Sequence, residues 1–439
     1  MRPIFTTTPI RKTLLYLILI QGGNYIVPLL MLPYLGHVLG AREFGVLAYC
    51  QAVAQYMVLL TDYGFNFTAT RHVSVNRGDP RGLAEVYTST SAARLVLVMG
   101  ALVLIVAGVL FVPDLREHAD VLAALFLEIV ANAVTPIWLF QGLERMRALV
   151  LPTFLSRLVG LVFVYFAVRG PGDAALAALG VSLGNVLLAI CALWILHRNR
   201  LVKLVGTSTR KIVEALKDGF PLFLSFVLIS FYVNFNSILL NYFHGPEVVG
   251  QFAMADKIRV AAQAMFMVIS QAFYPRISQY HATDPQAAQR LMRMAMLAVF
   301  STSISLFIGI ELLAAWGIET WIGPQFHASI PLLRLEAVLP PIISVAVVFG
   351  DLGLLAQGRA RSLTNVFVGA TVLHLLYVVP LTRYGGAKGT IVAVILTEVV
   401  GAVAFVWLYF RGVAPSSRGA GRSPVAPSAG QEPRGADAG

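Results

Sequence analysis

Long, uninterrupted apolar runs dominate the chain and are separated by short polar connections. A helix needs about 20 apolar residues to cross the hydrocarbon core of a bilayer. Continuous apolarity excludes the strands of a membrane barrel, which would alternate in units of about ten residues. The pattern therefore predicts an all-α integral membrane protein with twelve transmembrane helices, at 14–35, 43–66, 91–111, 119–140, 150–168, 174–196, 219–242, 247–275, 291–314, 330–355, 363–381 and 387–410.

Basic residues are concentrated in alternate connections between these spans. Lysines and arginines are retained on the cytoplasmic side of a membrane, so their asymmetry predicts orientation. The richer set includes Arg11, Lys12, Arg71, Arg77, Arg81, Arg94, Arg145, Arg147, Arg198, Arg200, Lys203, Arg210, Lys211 and Lys217. The poorer set consists of Arg42, Arg116, Arg169, Arg383 and Lys388. Twelve spans with both termini in the cytoplasm agree with this alternation.

A weak internal repeat indicates that the two halves are related. The segment GAREFGVLAYCQAV from Gly40 matches GPEVVGQFAMADKI from Gly245 at a shift of 205 residues. Each copy lies between the first and second spans of its half. A unit of six spans preserves orientation, so the halves would be two six-helix bundles related by a pseudo-twofold axis along the membrane normal.

This repeat divides the chain into four regions. We predict an N-terminal bundle over 1–196, a cytoplasmic linker over 197–218 and a C-terminal bundle over 219–411. The remaining segment, 412–439, is rich in Pro, Ser, Gly and Ala, a composition that cannot bury a core and predicts a disordered cytoplasmic tail.

Composition supports the membrane assignment and removes other classes of protein. Of the 439 residues only 13% are charged and 57% are hydrophobic, which is about half the charge of a soluble protein. The net charge of +11 is distributed as short clusters beside apolar runs, and no nucleic-acid recognition motif accompanies it. The two cysteines, Cys50 and Cys191, lie inside apolar runs and provide neither a disulfide framework nor a metal site.

Neither a nucleotide-binding motif nor the zinc motif of a metalloenzyme is present. The phosphate-binding sequence G-x-x-x-x-G-K-[ST] and the zinc motif H-E-x-x-H are both missing from the sequence. We therefore expect a protein that is not an enzyme, that uses no metal or cofactor, and in which any transport is secondary, facilitated or powered by a partner.

Charges inside the predicted spans are the strongest functional signal, because a charge at mid-bilayer is costly unless it faces a cavity or a partner. Asp256, Lys257 and Arg259 lie near the middle of span 8, and Arg157 lies in span 5. The basic residues are candidates for binding the diphosphate of a lipid-linked substrate. Equally, Asp256 and Arg259, three residues apart, could form a structural pair, and Arg157 could extend to the inner surface.

Two further carboxylates, Glu128 in span 4 and Glu398 in span 12, lie near mid-depth. Either could carry a coupling proton or serve as the structural partner of a buried cation. Amides and a tyrosine suit sugar hydroxyls, although hydrogen bonding between helices is the commoner role of any one of them. These candidates for glycan contact are Gln21, Asn24, Tyr25, Asn132, Asn234, Asn236 and Gln263.

Two sequence segments resemble a known family. The run LPYLGHVLGAREFGVLAYCQAVAQYMVLLTDYGFNFTATR over 32–71 and the run WLFQGLERMR over 138–147 are similar to the Wzx-type polysaccharide flippases. These belong to the multidrug/oligosaccharidyl-lipid/polysaccharide exporter (MOP) superfamily. The resemblance covers the first half in order and extends to the region of Lys257.

The resemblance implies a multi-pass protein of the bacterial inner membrane that moves a polyprenyl-diphosphate-linked oligosaccharide between leaflets by alternating access. Its cargo would be an O-antigen, exopolysaccharide or capsule repeat unit, and a polysaccharide polymerase and a chain-length regulator would be possible partners. The alternatives are a multidrug exporter, which would have a carboxylate-rich cavity, and a scaffold that does not transport. In this chain we expect the basic residues at mid-depth at least to match the acids, which argues against a multidrug exporter.

Overall fold

The computed structural model describes residues 10–413 and, within them, the side chains of 27–411 other than Val233 and Ala282. This part of the chain is helical throughout and contains no strand, which confirms the predicted all-α class. Its helices are α1 (Ile10–Asp62), α2 (Phe65–Val75), α3 (Pro80–Phe111), α4 (Pro113–Glu117), α5 (Ala119–Val134), α6 (Ile137–Gly142), α7 (Arg147–Ala167), α8 (Ala174–Arg198), α9 (Thr209–Val233), α10 (Phe235–His244), α11 (Pro246–Thr283), α12 (Pro285–Gly317), α13 (Ser329–Glu336), α14 (Leu339–Ala346) and α15 (Ala360–Val413). π-helical segments follow α12 and α14, at Ile318–Ile322 and Val347–Leu355.

Eight helical stretches of the described chain are long and apolar enough to cross a membrane, or nine if the bent pair α9 and α10 is one span. Two of the eight contain two predicted spans each, because α1 and α15 are 53 and 54 residues long and are broken at Gly40 and Gly386. Helix α11 is not among the eight; it carries the charges of span 8. A helix therefore covers every predicted span, while twelve crossings and two cytoplasmic termini stay predictions.

The glycines that begin the two repeats have the same unusual backbone conformation. Gly40 has φ 71° and ψ 176°, and Gly245 has φ 80° and ψ 174°. A positive φ is accessible to glycine at little cost and strained for other residues. The helical path is interrupted at both positions, and a helix begins immediately afterwards. The structure thus agrees with the shift of 205 residues at this point of the chain.

Helices α1 and α11 contact each other through the second glycine of each repeat. A Cβ atom on Gly45 would overlap the carbonyl oxygen of Pro246, and a Cβ atom on Gly250 would overlap that of Ala41. Ala41 and Pro246 are also 205 residues apart, so the contact is reciprocal, as it is across a twofold axis. The close approach continues with Phe44 of α1, whose ring packs edge-on against Phe326 with centroids 5.7 Å apart.

A second closure lies about 27 Å further along α1, given a rise of 1.5 Å per residue. There an aromatic seam joins the end of α1 and the start of α2 to α9. Tyr63 stacks on Phe223 with ring centroids 4.5 Å apart. Two further pairs, Tyr56–Phe231 and Phe67–Phe226, have centroids 5.8 and 5.6 Å apart. The space between the glycine contact and this seam contains the cavity described below.

The structure corrects the prediction that Arg94 lies at the cytoplasmic surface. Arg94 is only 2% exposed, and it donates to the Asp62 carboxylate at 2.8 Å. Its other nitrogens donate to the carbonyl oxygens of Thr61 and Thr135, at the C-terminal ends of α1 and α5. Those carbonyls have no partner within their own helix, so a buried cation is stabilised there.

The glycine contact predicts how α11 responds to added volume. We expect Gly250→Ala to lower the free energy of unfolding by about 1–3 kcal/mol, because the new Cβ atom would overlap backbone and force the helices apart. Gly309→Ala in α12 is the matched control, since a Cβ atom there meets no atom within 4 Å, and its higher helix propensity should leave stability unchanged or raised. Thermal unfolding in detergent measures both; equal midpoints would contradict this account of the contact.

Candidate substrate cavity

A polar cavity of about 590 Å³ lies between the glycine contact and the aromatic seam. Helices from both halves of the chain form its walls. The first half contributes the second part of α1, with α5, α7 and α8, and the second half contributes α10, α11, α13, α14 and the second part of α15. The polar residues that line it are Gln51, Gln55, Glu128, Arg157, Tyr232, Asn234, Asn236, Ser237, Asp256, Lys257, Arg259, Gln263, Glu336 and Glu398.

A second, mostly apolar cavity of about 450 Å³ adjoins it, and we name it the apolar portal. It is formed by the first part of α1, by α7 and by α11. Leu29, which is 39% exposed, stands at its edge. The portal is lined chiefly by Val27, Pro28, Leu29, Met31, Leu32, Leu35, Phe44, Leu47, Gly160, Val260 and Ala261. Both cavities share Gln51, Arg157, Asp256 and Lys257 in their linings, so these polar groups lie where the two spaces meet.

Arg157 reaches this junction from α7, which packs tightly on α8. A Cβ atom on Gly184 would lie 2.5 Å from the carbonyl oxygen of Ser156, and one on Gly160 would lie 3.0 Å from that of Gly180. Small residues of this kind let membrane helices approach closely. The backbone on both sides of Arg157 is consequently fixed against α8, and its side chain extends into the space between the two halves.

Arg157 and Lys257 are cations without an ion-pair partner among the described residues. The Lys257 ammonium donates to the amide oxygen of Gln51 at 3.2 Å, and no carboxylate oxygen there lies within 4.0 Å of it. The Nε atom of Arg157 is buried and has no hydrogen-bond partner in that part of the chain. Glu128 interacts electrostatically with both cations but contacts neither closely. We name these three charged residues and Gln51 the cation site.

Arg259 has a different environment, in which its charge is already neutralised. Its guanidinium donates to the Asp256 carboxylate one turn earlier and to the Gln263 side-chain oxygen at 2.6 Å. Its Nε atom lies 3.6 Å from a carboxylate oxygen of Glu336, a residue that is only 1% exposed. Arg259 therefore fits the interpretation as a structural pair, one of the two alternatives that the sequence left open. The Nε atom makes no hydrogen bond with a described residue, but it is buried beside the Glu336 carboxylate and is therefore not open to a diphosphate.

Glu398 completes a group that we name the carboxylate wall, consisting of Asp256, Arg259, Glu336 and Glu398. It projects from α15 beside Tyr232 and makes no hydrogen bond or ion pair with a described residue. Its electrostatic partner is Arg259. The wall holds three carboxylates and one cation, whereas the cation site holds two cations and one carboxylate. The charges of the cavity thus form two adjoining groups of opposite net sign, with Asp256 beside Lys257 at the boundary between them.

A buried histidine stands directly behind the cavity lining. His374 is fully buried and hydrogen-bonds through Nε2 to the Asn236 side-chain oxygen at 3.1 Å and through Nδ1 to the Thr397 hydroxyl at 2.7 Å. The Asn236 amide nitrogen in turn donates to the Tyr232 carbonyl at 2.9 Å. Both ends of the Asn236 amide are therefore bonded to protein groups. Asn236 holds the cavity lining in place and has little capacity left to hydrogen-bond a ligand.

Of the other candidates for glycan contact, two line the cavity, one does not, and three have side chains outside those described. Asn234 lines the cavity and donates to the Ser230 hydroxyl at 2.9 Å. Gln263 lines it and accepts from Arg259. Asn132 is half-buried and is not among the residues that line either cavity. The side chains of Gln21, Asn24 and Tyr25 lie outside those that the structure describes.

Sequence reasoning missed several polar residues of the cavity, among them Gln51, Gln55, Ser237 and Glu336. Glu336 carried a detectable signal, since it is a charged residue seven positions inside predicted span 10. With it, the cavity holds four carboxylates and three cations, so the expectation that basic residues match the acids is wrong. Among the described residues no group of histidine, cysteine, aspartate and glutamate side chains could hold a metal ion.

Comparison with known proteins identifies the family. Residues 10–281 match the family described as polysaccharide biosynthesis protein. The chain belongs to the polysaccharide biosynthesis protein family. A relative from Escherichia coli (strain K12) that carries the name of an O-antigen transporter is 31% identical over 393 residues, covering 89% of this chain and 94% of the relative.

Solved structures confirm the fold. An inward-facing multidrug resistance MATE family transporter of the MOP superfamily superposes with a TM-score of 0.72 at 16% identity, over 91% of this chain and 95% of that chain. The lipid II flippase MurJ, in an inward closed conformation, superposes with a TM-score of 0.72 at 12% identity, over 89% and 87% of the two chains. The predicted resemblance to the polysaccharide flippase family is confirmed by the family match and the relative. These similar proteins are transporters or flippases by name rather than enzymes.

The structural role of Arg259 predicts a specific pattern of stability. Arg259→Gln should lower the free energy of unfolding by about 3–5 kcal/mol, because it leaves the buried carboxylates of Asp256 and Glu336 without a cation. Adding Glu336→Gln should recover part of that loss. Lys257→Gln should have little effect, since it removes a cation that has only an amide partner. Thermal unfolding of the four purified proteins tests this order; equal losses for the two single cation variants would refute it.

Proposed function

We propose that the chain is a flippase that translocates a polyprenyl-diphosphate-linked oligosaccharide from the cytoplasmic to the outer leaflet of the bacterial inner membrane by alternating access. One observation carries this proposal. Two cations that lack a carboxylate partner among the described residues, Arg157 and Lys257, lie where an apolar portal meets a polar cavity. The cargo would be an O-antigen, exopolysaccharide or capsule repeat unit, since the relative is named as an O-antigen transporter.

The three parts of such a substrate match three parts of the molecule. A prenyl chain is apolar and fits the portal, whose edge at Leu29 is exposed. A diphosphate needs cationic hydrogen-bond donors, which Arg157 and Lys257 supply as guanidinium and ammonium groups. A glycan needs amides, hydroxyls and carboxylates, which line the larger cavity beyond them. The order along the substrate, tail then diphosphate then sugars, is the order of these environments.

Two closures bound the cavity and would open in turn. The glycine contact between α1 and α11 is on the predicted outer side, and the aromatic seam between α1, α2 and α9 is on the predicted inner side. In this proposal the bundles over 1–196 and 219–411, joined by the linker 197–218, rotate so that one closure forms as the other separates. Twelve spans and two cytoplasmic termini belong to the same proposal. A polymerase and a chain-length regulator would act on the product at the outer leaflet.

The source of energy is a further part of the proposal. Glu128 interacts with both cations of the cation site, so an incoming diphosphate would compete with its carboxylate. Protonation of Glu128 would remove that competition and link substrate binding to a proton. Glu398, which has no ion-pair partner in the described chain, is the second candidate for such a proton.

One observation favours a second candidate function. The cavity holds four carboxylates and three cations, and a slight acidic excess suits an organic cation, so a multidrug exporter of the same superfamily is the alternative. The portal and the two cations without carboxylate partners argue for the lipid-linked anion instead. A scaffold that does not transport would have no need of a cavity lined by charges, which are costly to bury.

The cation site predicts the phenotype of two substitutions. In a strain lacking its own flippase, the wild-type chain should clear the lipid-linked repeat unit from the cytoplasmic leaflet, and Lys257→Ala or Arg157→Ala should reduce clearance about tenfold or more, as expected for losing a charge-assisted contact of about 1.5–3 kcal/mol. Lys388→Ala, at an exposed position of α15, is the control and should behave as wild type. The leaflet distribution of the lipid-linked unit and the amount of each protein in the membrane are measured together.

The drug-exporter function would replace the flippase function on two joint results. Deleting the chain would leave clearance unaffected, and the chain would export cationic dyes at a rate that Lys257→Ala does not alter.

The aromatic seam predicts that transport requires its separation. A chain with Tyr63→Cys and Phe223→Cys, in a background without Cys50 and Cys191, should form a disulfide on oxidation because the two backbones approach closely: a Cβ atom on Gly64 would lie 3.5 Å from the backbone nitrogen of Phe223. Oxidation should then abolish clearance of the lipid-linked unit, and reduction should restore it. Each single cysteine variant, oxidised in the same way, is the control. Full transport by the crosslinked protein would show that the seam does not open during the cycle.

A further inference from the structure

The separation of charge inside the cavity sets a limit on the glycan. It rests on the proposed function, in which the diphosphate occupies the cation site at the mouth of the portal. Beyond that site the sugars would lie against the carboxylate wall, where Glu398 has no ion-pair partner among the described residues and Glu336 and Asp256 share the single cation Arg259. The end of the substrate that bears the glycan therefore meets an environment with more carboxylates than cations.

We propose that this cavity selects repeat units whose sugars are neutral or carry an amine, and that it disfavours sugars that carry a carboxylate. A carboxylate side chain accepts hydrogen bonds from sugar hydroxyls and pairs with an ammonium group. It repels a uronate, and the repulsion is little screened inside a cavity of low dielectric. Arg259 cannot compensate, because its donors already bind Asp256 and Gln263 and its remaining face lies beside Glu336.

Glu398 is the residue of the wall on which this selectivity depends most. Asp256 and Glu336 are occupied by Arg259, whereas Glu398 lines the cavity without a hydrogen bond to any described residue. The nearest polar lining, Tyr232 and Asn234, adds no positive charge. Glu398 is thus the carboxylate that a sugar can approach directly, and it is a specificity-determining residue in this proposal.

The test compares two matched substrates in proteoliposomes that contain the purified full chain. Both are undecaprenyl-diphosphate-linked oligosaccharides of equal length, one with neutral sugars only and one with a single uronic acid in place of its neutral counterpart. We expect wild type to translocate the neutral substrate about tenfold faster than the acidic one. Glu398→Gln, which keeps the shape of the side chain, should bring the two rates to within about threefold by accelerating the acidic substrate. Glu117→Gln, at an exposed position outside the cavity, is the control.

The outcomes separate this inference from the function on which it rests. Equal rates for the two substrates with wild type, a preference for the uronate, or a preference that Glu398→Gln leaves unchanged would overturn the inference and leave the flippase function standing. Translocation of neither substrate would overturn the flippase function itself. The thermal unfolding midpoint of Glu398→Gln in detergent, compared with that of wild type, verifies that this variant is folded.

Discussion

The cost of placing charge in a bilayer is the constraint on which this structure depends. Seven ionisable side chains line a cavity at membrane depth, and each must find a partner or water. The helices are arranged so that Arg259 lies between Asp256 and Glu336 and so that Arg94 caps the ends of two helices. These two buried arginines satisfy carboxylates and carbonyl oxygens that would otherwise be costly to bury. What is left without partners in the described chain, Arg157, Lys257 and Glu398, is consequently available for a ligand.

Different parts of the fold provide the close contacts between helices and the ion pairs of the buried polar groups. The contact between α1 and α11 uses glycines, whose missing side chains let two backbones touch. The aromatic seam uses rings stacked across the two halves. The ion pairs that join the halves beside the seam, His72 with Asp218 and Lys211 with Glu85, are about half exposed, so opening the seam would return their charges to water. A cavity bounded by contacts of this kind can open at one end while the buried ion pairs at its centre remain intact.

The cavity also explains why related folds serve different substrates. The chain superposes on a MATE family transporter and on the lipid II flippase MurJ with the same TM-score of 0.72, at 16% and 12% identity. Backbone geometry therefore does not distinguish a drug from a lipid-linked precursor. In the proposed function the distinction depends on a few side chains, above all on the two cations at the mouth of the portal and on the carboxylates of the cavity.

The sequence by itself determined the helical class, the apolar stretches that form helices, the repeat at Gly40 and Gly245, and the charged residues that line the cavity apart from Glu336. These features follow from local properties of the sequence, because the length of an apolar run, a glycine and a charged residue can each be read at their own positions in the chain. It could not determine which charges pair. Lys257 and Arg259 are two residues apart on α11, yet one meets only an amide of α1 and the other meets a carboxylate of α13. Only the tertiary structure brings α1 beside Lys257 and α13 beside Arg259. For that reason it alone decided which cation is structural and which is free to bind.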